Sequence, residues 1–346
     1  MVPEIQAVRW DNNTLLLLDQ TLLPGHEVDF VADNVDRVVD AIFRLVVRGA
    51  PALGAVGGYG VVVAMDQGER EGWSAEQLQA QIQRVRDARP TAVNLAWGVD
   101  RVRPFVDQGR EAVLAEAEQI VREDTAANKR LSEFGADWIL AKTGKSTLRV
   151  LTHCNTGALA TTAWGTALGV IRELHKRGAL ELVYADETRP LLQGARLTAW
   201  ELEREGIEYF VQADGAAAST ILRGMVDFAI IGADRIARNG DSANKIGSVG
   251  VALACHAAGI PFMVAAPSST VDLTTATGHD IEIELRDGAE VTELAGVKIA
   301  PVGAKGFNPA FDVTPAQYIA AIVTEQGVVE PHNTPDVSFL VNGEKA

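Results

Sequence analysis

The spacing of apolar residues changes near residue 145, and that change limits the folds open to this chain more than any other feature. Downstream of it, short apolar runs at 148–152, 182–185, 209–211, 228–231 and 262–265 alternate with helix-length segments at 159–176, 191–205, 216–225 and 246–258. Continuous apolar runs suit strands buried on both faces, and a helix-sized segment between runs suits a parallel crossover. The pattern predicts an α/β domain whose parallel sheet is covered by helices on both sides. In such sheets ligands bind beyond the carboxyl ends of the strands, so the residues that follow each run are the ones to inspect.

Upstream, the chain reads as mainly helical after a short β start. Residues 7–10 and 14–18 flank Asp11-Asn12-Asn13, a hairpin turn signal. Asp33 is placed to N-cap a helix with Val35, Val38, Val39, Ile42, Phe43 and Val46 on one face. Ser74 and Gln77 form a capping-box pattern ahead of Leu78, Ile82 and Val85. An Ala- and Glu-rich stretch over 109–142 predicts a further helix, ended by Thr143-Gly144-Lys145-Ser146. A domain boundary is placed there, giving domains 1–145 and 146–346. Arg48-Gly49-Ala50 leads into Pro51, which suits a first helical turn. Gly54, Gly57, Gly58 and Gly60 follow no predicted strand, so they indicate close helix packing and not a dinucleotide fingerprint.

Polar and reactive residues recur after the runs: His153-Cys154-Asn155, Asp186-Glu187-Thr188-Arg189 leading to Gln193, Asp214-Gly215, Gly232-Ala233-Asp234-Arg235 leading to Asn244-Lys245, and Pro267-Ser268-Ser269. Cys154 is predicted at a helix N-terminus, where backbone donors and the dipole stabilise a thiolate or an anion; the plainer reading is a small buried hydrophobe. Cys255 is read as that plainer case. Asp234 is either an N-cap, a partner of Arg235, or an acid kept protonated under apolar walls. Lys245 is placed at a helix start, where the dipole does not favour it, which points to an anion as its partner. Asp186 and Glu187 could meet a metal, a ribose hydroxyl or Arg189.

Composition removes several classes. Of 346 residues, 31 are Lys or Arg and 46 are Asp or Glu, a formal charge of −15, which argues against broad binding of nucleic acid or anionic membranes. An anionic ligand therefore needs cations gathered locally. The two cysteines form no framework, the N-terminus lacks a signal-peptide pattern, and no apolar run reaches membrane-spanning length, so the expected location is cytoplasmic. The six histidines are scattered without metal-ligand spacing, and neither a P-loop nor a nucleophile elbow is present, so no metal site is expected.

Several segments together resemble the methylthioribose-1-phosphate isomerase family, within the wider group of initiation-factor-2B alpha/beta/delta-like proteins. They are Asp19-Gln20 with Leu23-Pro24, residues 48–54, residues 89–95, Thr152-His153-Cys154-Asn155, residues 187–190 and 193–196, residues 232–236, Asn239-Gly240-Asp241, residues 244–247 and residues 308–315. The resemblance implies a Rossmann-like C-terminal catalytic domain behind a smaller helical one, usually in a homodimer. It implies a cofactor-free aldose–ketose isomerase of methionine salvage that acts on a sugar phosphate. Carried over by motif, Cys154 and Asp234 are the catalytic pair, and Arg48, Gly49, Ala50, Arg89, Gln193, Asn244 and Lys245 contact the substrate. Departures are small: Thr156 replaces a common Ala, Ala163-Trp164 a Gly-aromatic pair, and Met263 a common aromatic. Trp164 is expected in the third turn of its helix, where it would reshape a pocket or an interface. Two alternatives share the superfamily: a ribose-1,5-bisphosphate isomerase, and non-catalytic regulatory subunits of a translation-initiation guanine-nucleotide exchange factor, which are expected to lack the full Cys154, Asp234 and Lys245 set or the Arg48-Gly49-Ala50 segment.

Overall fold

A computed structural model of the chain describes residues 5–90, 92–334 and 336–343. Contacts divide it into two compact units. The first runs to Asn128 and takes in Gly157–Gly165; the second begins at Lys129, runs to Thr156 and resumes at Thr166. This division differs from the one drawn at the 145/146 break. The reason lies in helix α5 (Arg110–Thr143), which is continuous. Val113, Ala117 and Ile120 on its first half belong to the N-terminal core, whereas Leu131, Ala136 and Ile139 on its second half belong to a core of the second unit.

The N-terminal unit opens with an antiparallel sheet of β1 (Val8–Asp11), β2 (Thr14–Leu18) and β3 (Asp29–Ala32). Asn12 and Asn13, at φ 48 and 59, supply the left-handed pair that a two-residue hairpin turn requires. Helix α1 (Val35–Phe43) is capped by Asn34, whose side chain accepts from the Arg37 amide, and not by Asp33. Phe43 falls off the buried stripe and is exposed. Helices α2 (Ala50–Glu71), α3 (Ala75–Arg86) and α4 (Val93–Val102) follow, and α3 carries the complete capping box expected of Ser74 and Gln77. The glycines of α2 do pack helices: a Cβ on Gly57 would meet the Leu95 carbonyl oxygen at 2.5 Å, and one on Gly98 would meet that of Gly54 at 2.0 Å.

The second unit is built on β4 (Leu148–Thr152), β5 (Leu180–Asp186), β6 (Tyr209–Gln212), β7 (Phe228–Ile231), β8 (Arg235–Ala237), β9 (Ser242–Lys245), β10 (Phe262–Ala265), β11 (Val271–Asp272), β12 (Glu293–Leu294), β13 (Val297–Lys298), β14 (Phe311–Thr314), β15 (Ala321–Thr324) and β16 (Gly327–Val329). Its main sheet has the order β16-β15-β10-β7-β4-β5-β6, all parallel except β16. Growth of the sheet therefore reverses direction between β4 and β7, the doubly wound arrangement whose ligand crevice opens at that reversal. Alternate residues feed two cores. Val150, Phe228, Ile230, Met263 and Val323 join the first, with α6 (Ala167–Lys176), α7 (Ala199–Glu205) and the end of α5. Leu151, Ala229, Ile231, Val264 and Ile322 join the second, with α8 (Ala217–Leu222) and α9 (Ser248–Ala258). A smaller sheet, β11-β8-β9-β14, follows from residues the apolar pattern did not mark as strands.

Candidate active site

Cys154 and Asp234 follow β4 and β7, the two strands at the reversal point. The segments that carry them touch: a Cβ on Gly232 would lie 2.5 Å from Thr156 Cγ2, so a larger residue there would have to displace the Thr156 side chain. Cys154 does not begin a helix. The stretch expected to be helical from residue 159 is irregular, and α6 starts at Ala167. Trp164, at φ 71, and Gly165, at φ 91, turn the chain ahead of that helix. Ala163 instead lines a cavity of about 490 Å³ in the N-terminal unit, together with Trp10 and Tyr59.

Cys154 is buried and sits at φ 66, a left-handed conformation that costs a non-glycine residue about 1–3 kcal/mol. Its backbone is pinned on both sides. The amide donates to Thr188 Oγ1 at 2.8 Å, and the carbonyl accepts from Thr198 Oγ1 at 2.6 Å. Thr188 is positioned in turn by Asp214, whose carboxylate accepts from the amides of Thr188 and Arg189 at 2.7 and 2.6 Å. Asn155 donates to Thr198 Oγ1 and to Glu201, which pairs with Arg172 at 2.6 Å in a buried ion pair.

Asp234 stands exposed, not under apolar walls, and its amide donates to the Ala243 carbonyl at 2.8 Å. Arg235 pairs with Asp272 at 3.2 Å. The Asp234 bond to Ala243 sets its backbone beside the strand that continues to Asn244 and Lys245. Lys245 ends a strand and does not start a helix: β9 pairs with β14, aligning Asn244 with Asp312 and Lys245 with Phe311. The Lys245 ammonium donates to the Ala310 carbonyl at 2.9 Å and lies 4.3 Å from the centre of the Phe311 ring, a cation–π contact. Asn244 donates to Ser248 Oγ at 2.8 Å. Gln193 is buried, and among the described residues its Oε1 accepts no hydrogen bond. A buried orphan acceptor costs about 1–3 kcal/mol, so Gln193 offers a ready place for a ligand hydroxyl.

Cys154, Gln193, Asp234, Asn244 and Lys245 thus all belong to the second unit, on the loops and strand ends around its reversal point. Arg48, Gly49, Ala50 and Arg89 belong to the N-terminal unit. There Gly49, at φ 96, opens α2, and a Cβ on it would lie 2.1 Å from the Ala160 carbonyl oxygen. Arg89 closes a turn before α4 by accepting from the Ala92 amide; Thr91, beside it, lies outside the described residues.

The sequence reading missed the polar residues that hold this arrangement. Asp186 meets neither Arg189 nor Glu187: its carboxylate faces His153 Nδ1 at 3.0 Å and accepts from Gln212 at 2.8 Å. Ligand-type atoms of His153, Asp186 and Asp214 lie within 4.8 Å of one another, but all three side chains are engaged by these bonds to protein groups. The recurrence of Thr, Asp and His just after strands was the one available signal. Cys255 is buried in α9, where burial pushes its thiol up to about 12, consistent with the inert reading.

The fold is a doubly wound α/β arrangement, and the polar residues gathered at its reversal point, Lys245 among them, form a candidate ligand site. Residues 46–331 match the initiation factor 2 subunit family. The methylthioribose-1-phosphate isomerase of Marinobacter nauticus is 48% identical over 340 residues, 96% of each chain. A probable bifunctional methylthioribose-1-phosphate isomerase/methylthioribulose-1-phosphate dehydratase of Nocardia farcinica is 50% identical; the match takes in 93% of this chain and spans 59% of that longer protein. Among solved structures, 5-methylthioribose 1-phosphate isomerase from Pyrococcus horikoshii OT3 superposes with a TM-score of 0.88 at 38% identity, over 98% of this chain and 96% of that one. A protein from A. fulgidus described as translation initiation factor eIF-2B, subunit delta, gives 0.86 at 39% identity, over 97% and 99%. The chain belongs to the initiation factor 2 subunit family, in its methylthioribose-1-phosphate isomerase branch. Among the described residues, no helix is long and apolar enough to cross a membrane.

Proposed function

We propose that this protein is an aldose–ketose isomerase, an intramolecular oxidoreductase that converts 5-methylthioribose 1-phosphate into 5-methylthioribulose 1-phosphate in methionine salvage. The reading rests above all on the match over 96% of both chains to an isomerase of that name, in a chain that keeps Cys154 and Asp234 at the reversal point of its sheet. The protein acts without a cofactor, as a cytoplasmic homodimer, as the family resemblance implies.

The substrate carries phosphate on its anomeric carbon, so its ring must open with the phosphate attached. Asp234 gives its proton to the ring oxygen as the C1–O bond breaks. The carboxyl is exposed in the free chain, so on this reading it is the substrate's carbons that displace water from it and favour the protonated form. A hydrogen then moves from C2 to C1 while the C2 hydroxyl gives up its proton and becomes the ketone; that proton replaces the one Asp234 supplied, so atoms and electrons balance over the turnover. In one route Cys154 carries the hydrogen as a proton through an enolate; in the other it moves directly as hydride, with Cys154 beside the developing charge. The family resemblance assigns Lys245, Arg48 and Arg89 to the phosphate, and a chain of charge −15 needs such cations to bind an anion. Gln193 and Asn244 bind sugar hydroxyls, and Gly49 and Ala50 offer backbone amides.

The test is an NMR assay of purified protein with 5-methylthioribose 1-phosphate. Wild type yields the ketose, and Cys154→Ser and Asp234→Asn each lose activity by about 10²–10⁴-fold, the span of a positioned acid or base. A folded wild type with no turnover rejects the reading. Substrate deuterated at C2 separates the routes, because washout of the label into water rules out a pure hydride shift.

A further inference from the structure

The same edge of the sheet holds a buried His–Asp pair that the reaction does not consume. His153 and Asp186 are each only 1% exposed. His153 Nδ1 lies 3.0 Å from Asp186 Oδ2, and its Nε2 lies 2.8 Å from the Ile246 carbonyl oxygen. A carbonyl oxygen only accepts, so Nε2 carries a hydrogen. An ionised carboxylate also only accepts, so opposite an ionised Asp186 the Nδ1 needs a hydrogen too, whereas a neutral imidazole has a single hydrogen for both ends. The charged groups facing the ring are Asp186 on β5, Asp214 after β6 and Asp312 on β14, and all are acidic. Burial pulls the ring's pKa down, but the hydrogen bond and charge of Asp186, with Asp214 and the Ile246 carbonyl behind them, bring it above its ordinary value.

We propose that His153 is a positioning residue, held as an imidazolium between Asp186 and the Ile246 carbonyl, and that it fixes the Cys154 end of β4 against the Asn244–Lys245 end of β9. The turn it grips is shaped for the ring. Gly247 stands at φ +109, and a Cβ there would lie 2.8 Å from the ring's Cε1. Asp312 holds the same turn from its other side, accepting from the amides of Gly247 and Val249 at 2.8 and 3.3 Å. One imidazole thus ties together the end of β4, the end of β5 and the turn that follows β9.

Two measurements on the full chain test this, and only the second rests on the isomerase reading. In ¹⁵N NMR of the free protein, both ring nitrogens of His153 still carry a hydrogen at pH values above the ordinary histidine pKa of about 6.5. A ring nitrogen of His153 without hydrogen near pH 8, with the proton on Asp186 instead, overturns the imidazolium. In the isomerase assay His153→Asn, which cannot span to Ile246, lowers kcat at least about tenfold. Asp186→Asn can donate to Nδ1 of a neutral ring and keep the Nε2 bond, so it loses the high-pH protonation signature but holds kcat within about fivefold. A folded His153→Asn variant with wild-type kcat overturns the positioning role. A wild type that shows no isomerase activity refutes the function while the NMR result still stands or falls by itself.

Discussion

The two units solve the burial problem differently. In the N-terminal unit one core is closed largely by backbone approaching backbone: α2 and α4 meet where Gly57 faces the Leu95 carbonyl and Gly98 the Gly54 carbonyl. In the second unit a sheet separates two cores, and every strand through its middle sends alternate side chains into both. A fold closed by glycines tolerates little growth of side chains at the crossing. A fold closed by a two-faced sheet tolerates little loss of them, and its strand ends are left free to carry chemistry.

Substitutions that remove or add volume sharpen this contrast. Phe228, fully buried on the central strand β7, anchors one of the two cores. Phe228→Ala is expected to cost about 3–5 kcal/mol in denaturant unfolding, with amide protection lost first in the second unit. Equal loss in both units would erase the distinction. Gly98→Ala is the converse: its new methyl meets backbone 2.0 Å away, and overpacking there should cost about 1–3 kcal/mol, read first in exchange of α2 and α4. A neutral outcome would mean that the helix crossing is not backbone-limited.

Smaller effects follow at the edges of each unit. Burial would raise the Asp227 carboxyl, but the Lys145 ammonium at 2.6 Å, the Arg149 amide at 2.7 Å and the Arg149 guanidinium hold it below its ordinary value. A folded pKa below the unfolded value of about 3.9 gives stability that is present above that pH and lost as pH falls through the folded pKa. Asp227→Asn should therefore flatten the acid limb of stability against pH and leave neutral-pH slopes alone; an unchanged acid limb would sink this account. In the N-terminal unit Ser74→Ala removes one half of the capping box of α3 and should cost about 0.5–2 kcal/mol in thermal unfolding.

Much of this was legible in the residues. Runs of apolar residues bounded by polar strand ends marked β4, β7 and β10 to the residue, because burial on both faces leaves a signal that needs no knowledge of the neighbours. Asn12-Asn13, Pro51, and Ser74 with Gln77 announced their turn and helix starts through local backbone chemistry. Asp33 failed as a cap by one residue, since the helix starts at Val35 and Asn34 reaches the Arg37 amide. The helix expected from residue 159 failed because Trp164 and Gly165 adopt positive φ in a segment whose apolar content alone looks helical. Strands β8, β9 and β14 were missed because they are three or four residues long and carry no continuous apolar run, so each is defined by its partner.

The sequence by itself determined the α/β class, the strand ends that bear Cys154 and Asp234, and the family, since each is written in local pattern and motif. The tertiary structure alone decided that Cys154 lies in a left-handed bend clasped by two threonines, that Lys245 ends a strand, and that Asp234 is exposed. It also decided that His153 finds Asp186 and Ile246, 33 and 93 residues away. Those outcomes depend on which distant groups satisfy a buried donor or acceptor, and no local period records that choice.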